Sequence, residues 1–194
     1  FRDPRVGRDV LVGLTAGVVL GVLRLGVKLL PPLLGYAPPP PHPFNTQLLL
    51  SSRRALATVL TIPPDALFTG LIATLAFALA RMVVKRTWAA LVISIVVGAF
   101  LYANLAATEQ FSINEGFALV FAGVMMAVLV RFGMFALIMA SLAELVIRQG
   151  GLTADLSKLY APTSVWLMLL IAALAAFGYY ASRGDEPLFG RFET

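Results

Sequence analysis

The chain has 194 residues, of which 59% are hydrophobic and 13% are charged, and its mean hydropathy is +0.88. A soluble domain averages about 45–50% apolar and about 25% charged residues. This composition therefore excludes an ordinary soluble fold and predicts an all-α integral membrane protein. The net charge of +5 is better explained by basic residues in cytoplasmic loops than by nucleic-acid binding. The chain has no cysteine and one histidine, which excludes disulfides and thiolate metal sites.

Apolar stretches predict six transmembrane helices. Residues 1–9 carry three arginines and two aspartates and lack a signal-peptide cleavage pattern, so we expect a cytoplasmic juxtamembrane segment there. Residues 10–182 would form one helical membrane domain, and residues 183–194 a cytoplasmic tail. The predicted spans lie near residues 10–34, 66–84, 87–108, 116–130, 132–147 and 159–182. The fourth and fifth spans are short, about 22–24 Å long, and alternatively form a re-entrant pair.

Basic residues predict the orientation of these helices. With a cytoplasmic N-terminus, the inner ends and tails hold nine basic residues, whereas the outer loops hold four. The inner set is Arg2, Arg5, Arg8, Arg81, Lys85, Arg86, Arg131, Arg183 and Arg191, and the outer set is Arg53, Arg54, Arg148 and Lys158. The positive-inside rule therefore predicts a bacterial inner-membrane protein with both termini in the cytoplasm.

A proline-rich connector, residues 31–43, separates the first span from an amphipathic segment, residues 46–61. Asn45 is the predicted N-cap of this segment, and Leu49 belongs to the flanking hydrophobic staple. Leu49 and Leu56 share the apolar face. The pair Arg53 and Arg54 marks the polar side, which predicts a helix lying in the membrane interface. We expect residues 63–64, both proline, to end this helix before the second span.

Gly13, Gly17 and Gly21 repeat every four residues in the first span, and this pattern permits close approach of another helix. Arg24 and Lys28 lie further along the same face of the helix. Packing within the bundle, with the two cations reaching the headgroups, explains this pattern. The alternative is that the cations face a partner, because ionisable groups inside a membrane usually pair.

Glu144 is the acid that lies well inside an apolar segment. In the predicted topology it occupies the same half of the membrane as Arg24 and Lys28. We therefore predict that Glu144 pairs with Arg24 or Lys28. The alternative, a proton or ion site, would have neither a second carboxylate nor a histidine relay.

No catalytic constellation is visible, so the sequence predicts a protein that is not an enzyme. There is no Ser-His-Asp set, no paired-carboxylate arrangement and no zinc motif. We predict no metal and no cofactor beyond bound lipid. Pigment contact remains open, because a backbone carbonyl or a water molecule can ligate a chlorophyll magnesium.

Four short segments occur in a familiar order: RDPRVGRDVL at residues 2–11, PFN at 43–45, TADLSKLYA at 153–161 and PLFG at 187–190. Together they resemble the C-terminal multi-pass membrane region of acidobacterial-type serine/threonine protein kinase-like proteins, over nearly the whole chain. The resemblance implies a cytoplasmic kinase domain before the membrane region. This chain contains no glycine-rich nucleotide loop, no His-Arg-Asp loop and no Asp-Phe-Gly, so no kinase residue is carried over.

Three functions are compatible with these features. The first is a non-catalytic membrane domain that anchors a cytoplasmic module or binds other integral membrane subunits. The second is an accessory structural subunit of a large respiratory or photosynthetic membrane complex. The third is a six-span ABC-type transporter permease. The scarcity of polar residues near the membrane midplane argues against this function. A polar cavity at the membrane centre would favour transport, whereas a sealed bundle would favour the subunit role.

Overall fold

The computed structural model describes residues 3–33, 35, 52–105, 111–149 and 161–183. Within these residues the fold contains six α-helices and no strand, so the all-α prediction is confirmed. The helices are α1 (Pro4–Leu33), α2 (Ser52–Val84), α3 (Thr87–Leu105), α4 (Phe111–Phe132), α5 (Met134–Gln149) and α6 (Ala161–Ser182).

Four of these helices are long and apolar enough to cross a membrane. Their apolar segments are Pro4–Arg24, Val59–Val84, Glu115–Phe132 and Ser164–Ser182. The apolar part of α3, Thr87–Leu101, is shorter. Helix α5 has 16 residues, or about 24 Å, against a hydrocarbon core of about 30 Å. Helices are thus present at all six predicted positions, whereas a count of six spans stays a prediction.

Helix α1 includes most of the predicted juxtamembrane segment and the start of the predicted connector. The Asp3 carboxylate accepts a hydrogen bond from the backbone N–H of Arg5 at 2.9 Å, and Pro4 occupies the first helical position. Much of the predicted juxtamembrane segment is therefore helical. The helix also includes residues 31–32, both proline, so the prediction that the connector starts at residue 31 was wrong.

Helix α2 corrects a second prediction, because residues 52–61 do not form a separate helix. Pro63 and Pro64 lie inside one continuous helix of 33 residues. Proline has a helical φ, but it removes one N–H donor and its ring crowds the carbonyl four residues earlier. The two missing bonds free the carbonyls of Val59 and Leu60, near the start of the apolar segment, where other groups can satisfy them. Two consecutive prolines are therefore compatible with an unbroken helix.

The described helices alternate in direction. Helix α1 runs parallel to α5, because Gly13 faces Ala136 and Gly21 faces Ile147. Helix α2 is antiparallel to α5, since Gly70 faces Ile138 and its earlier residues pack on residues 142–146. Similar pairings make α3 antiparallel to α4, and both α4 and α6 antiparallel to α1.

Helix α5 lies at the centre of the bundle. Contacts of α1 with α4, α4 with α3, α3 with α2, α2 with α6 and α6 with α1 form a ring, and α5 packs against α1, α2 and α4. Residues 136–146 are all buried except Ile138 and Met139. The shortest helix is therefore the core of the fold, which explains why it need not match the membrane thickness.

Tight connections bring many basic residues to one end of the bundle. Lys85 links α2 to α3 with a φ of 56°, and Gly133 links α4 to α5 with a φ of 90°, a conformation that glycine adopts easily. We call the end where α1 begins the basic end. Its described basic residues are Arg5, Arg8, Arg81, Lys85, Arg86, Arg131 and Arg183, and its described acidic residues are Asp3 and Asp9.

Candidate functional site

The glycine stripe of α1 lies against α5, and all three glycines are buried. A Cβ atom on Gly13 would meet the carbonyl oxygen of Ala136 and lie 2.6 Å from the Met139 Cβ. A Cβ atom on Gly21 would lie 2.6 Å from the Ile147 Cδ1. These separations are below any real Cβ contact, so the two helices can approach this closely only because the positions lack a side chain.

Gly17 is the middle of this interface. A Cβ atom there would meet the carbonyl oxygen of Ala140 and lie 2.6 Å from the Cβ of Ala143. The partner surface on α5 is thus also made of small residues, at positions 136, 140 and 143. This second stripe was not among the features predicted from the sequence. Its spacing of four and three residues is the signal that could have found it.

A further close contact, between α1 and α6, was also not predicted from the sequence. A Cβ atom on Gly7 would lie 2.6 Å from the carbonyl oxygen of Gly178. A Cβ atom on Gly178 would in turn lie 2.9 Å from the Val10 Cγ1. Glycines on both helices therefore let α6 approach the first turns of α1, which places the two helix ends side by side.

The predicted ion pair is present between Arg24 and Glu144. The Arg24 guanidinium donates a hydrogen bond to the Glu144 carboxylate. The Glu144 side chain is 6% exposed and that of Arg24 is 22% exposed, so the pair is largely shielded. Glycine packing between α1 and α5 brings the two residues together, because Arg24 follows Gly21 by one turn. This pair offers a reason for both charges to lie inside apolar helices.

A second arginine completes the cluster around Glu144. Arg148, one turn later on α5, has its Nε 3.5 Å from the same carboxylate oxygen, and its side chain is 42% exposed. One carboxylate and two guanidinium groups therefore lie together in this cluster. The cluster lies at the end of the bundle opposite the basic end.

The remaining predicted site residues fall partly outside the described structure. Lys28 lies in α1, one turn after Arg24, but its side chain is outside the described residues. Asn45 and Leu49 also lie outside them. Arg53, Arg54 and Leu56 form the first turns of α2, and their side chains are likewise not described. The location of this segment in the membrane interface stays a prediction.

Among the described residues there is no group of three His, Cys, Asp or Glu side chains that could hold a metal ion. The close contacts of α1 with α5 and the Arg24–Glu144 pair make the site a helix-packing interface with an ion cluster at one end. No protein-family model, curated protein or solved structure matches this chain. The resemblance to kinase-like membrane regions stays a prediction from four short segments.

Proposed function

We propose that this chain is a non-catalytic membrane domain that anchors an adjoining cytoplasmic module and serves as a packing platform for other membrane subunits. One observation carries the proposal: α5 fills the centre of the ring, in direct contact with α1 through small residues. A transport path or a midplane pocket would need this space. The filled centre supports a packing role over that of a transporter permease.

The surface that we propose for packing against other proteins is not the glycine stripe that the sequence indicates. The stripe of Gly13, Gly17 and Gly21 is already covered by α5. By contrast, 6% of the apolar window of α2 is buried, against 39% of that of α1. Large apolar side chains of α2 and its neighbour α3 form what we call the outer α2–α3 face. Its residues are Phe68, Leu75, Met82, Trp88, Val92 and Val96.

The outer α2–α3 face favours a second, compatible function, that of an accessory subunit in a large respiratory or photosynthetic membrane complex. Exposed apolar side chains on two neighbouring helices suit either lipid or another integral membrane protein. The glycine–alanine packing holds the bundle together internally, which leaves this face available for docking.

The basic end supports the proposed orientation. It carries seven described basic residues and two acidic ones, and basic residues favour the cytoplasmic side of bacterial membranes. We propose that this end, with the starts of α1 and α3, faces the cytoplasm of a bacterial inner membrane. The module favoured by the predicted resemblance is a kinase-like domain preceding α1.

Photo-crosslinking from single cysteines tests the platform function. The natural chain has no cysteine, so a benzophenone maleimide will attach only at an introduced residue. In membranes of the native host, we expect Leu75→Cys on the outer α2–α3 face to form adducts with another membrane protein. Val22→Cys, which is also exposed but lies on α1, is the matched control and should yield lipid adducts. Lipid adducts alone from both positions would contradict the platform function and leave only anchoring.

A further inference from the structure

A groove on the outside of the bundle, between α1 and α4, lies next to the basic end. It is a shallow, open groove with a volume of about 390 Å³. Its lining residues are Leu11, Val12, Thr15, Ala16, Val128 and Phe132. The hydroxyl of Thr15 donates to the carbonyl oxygen of Leu11 at 2.8 Å, so the polar lining group is satisfied within α1. The groove wall is therefore suited to a hydrocarbon chain.

Two arginines flank the end of this groove. The Cζ atoms of Arg8 and Arg131 each lie 5.9 Å from the centroid of the Phe132 ring, which itself lines the groove. Both arginine side chains are exposed. Arg8 also forms a 3.2 Å ion pair with Asp9. The two guanidinium groups and the one carboxylate give this end of the groove a formal excess of one positive charge.

We propose that the α1–α4 groove and these two arginines bind one anionic phospholipid molecule. An acyl chain would lie in the groove, and the phosphate of the headgroup would contact Arg8 and Arg131. The match is one of charge and polarity: the groove is apolar along its length and cationic at the end nearest the membrane surface. Arginine is suited to this contact because its guanidinium donates several hydrogen bonds to one phosphate.

The occupant that fits both halves of the site is an amphiphile with a single negative charge. A free phosphate ion would leave the apolar groove empty, and a zwitterionic lipid would not neutralise the net positive charge. The site requires that the bundle lies in a bilayer, but it does not require the platform function. A failure of one proposal is therefore distinguishable from a failure of the other.

Native mass spectrometry of the full chain in mild detergent tests the site. Phosphatidylglycerol and phosphatidylcholine with identical acyl chains serve as the two probes. We expect phosphatidylglycerol to be retained about ten- to thirtyfold better, because two basic residues contact its headgroup. The double variant Arg8→Gln/Arg131→Gln should reduce this preference to near unity. Arg86→Gln removes one positive charge from the α2–α3 connection, which does not line the groove, and should leave the preference unchanged.

A second variant separates the groove from the arginines. Thr15→Trp places a large side chain at an exposed position of the groove wall and should weaken binding of both lipids, with both arginines present. Equal retention of the two lipids by the natural chain would overturn the proposal. Equal losses of preference in Arg86→Gln and in the double variant would also overturn it, because they would show only a general attraction to the basic end.

Discussion

Replacing Gly17 with alanine is expected to lower the free energy of unfolding of the bundle by about 1–3 kcal/mol, the usual cost of overpacking a filled interior. The added methyl group would meet the carbonyl oxygen of Ala140 and lie 2.6 Å from the Cβ of Ala143. Backbone atoms cannot move aside as a flexible side chain can, so α1 and α5 must separate. The measurement is a titration with sodium dodecyl sulfate, followed by circular dichroism.

Gly123→Ala is the matched control for this substitution. Gly123 also lies inside a helix, α4, but a Cβ atom there meets nothing within 4 Å. Alanine is a better helix former than glycine by about 1 kcal/mol, so this variant should be neutral or slightly more stable. Equal effects of Gly17→Ala and Gly123→Ala would show that the α1–α5 contact does not hold the bundle together.

Replacing Glu144 with glutamine should be the most destabilising of the charge substitutions. It removes the charged carboxylate that accepts a hydrogen bond from the Arg24 guanidinium in a largely buried position. Breaking a buried pair costs about 3–5 kcal/mol, and we expect a value near the lower figure because Arg24 is partly exposed. The same titration measures this loss. Arg148→Gln is the control: its side chain is 42% exposed, and its loss should cost at most about 1 kcal/mol.

The double variant Arg24→Gln/Glu144→Gln tests whether the two residues act as a pair. Two neutral amides can hydrogen-bond each other without an unpaired charge. We therefore expect the double variant to lose less stability than the sum of the two single variants, with a coupling energy above about 1 kcal/mol. Additive losses would contradict a direct interaction between Arg24 and Glu144.

Local composition and periodicity were sufficient to predict most of the helix positions. The all-α class, the six helices and the Arg24–Glu144 pair all follow from apolar length and from the cost of an unpaired charge in lipid. A charge inside an apolar helix needs a partner, and Glu144 was the available acid. For that reason the sequence alone could limit the partner of Glu144 to Arg24 or Lys28, and the structure shows that Arg24 makes the contact.

Other features depend on contacts between helices, which local sequence patterns do not reveal. Small residues occur on several helices, so the glycine stripe could not by itself identify α5 as its partner. The central position of α5 depends on its packing against α1, α2 and α4, which are distant from one another in the chain. The unbroken path of α2 through Pro63 and Pro64 depends on whether two freed carbonyls find other partners. In each case the outcome depends on contacts between distant parts of the chain rather than on local propensity.

The filled centre of the bundle is the claim on which the proposed function depends, and thiol accessibility tests it most directly. Ser141 of α5 is 2% exposed, and Ser141→Cys adds little volume to a chain that has no other cysteine. In proteoliposomes, we expect this thiol to resist a small methanethiosulfonate reagent until the protein is unfolded. Arg86→Cys, at the exposed basic end, should react at once and from the proposed cytoplasmic side. Reaction of Ser141→Cys at the rate of Arg86→Cys would show a water-filled centre and contradict the account.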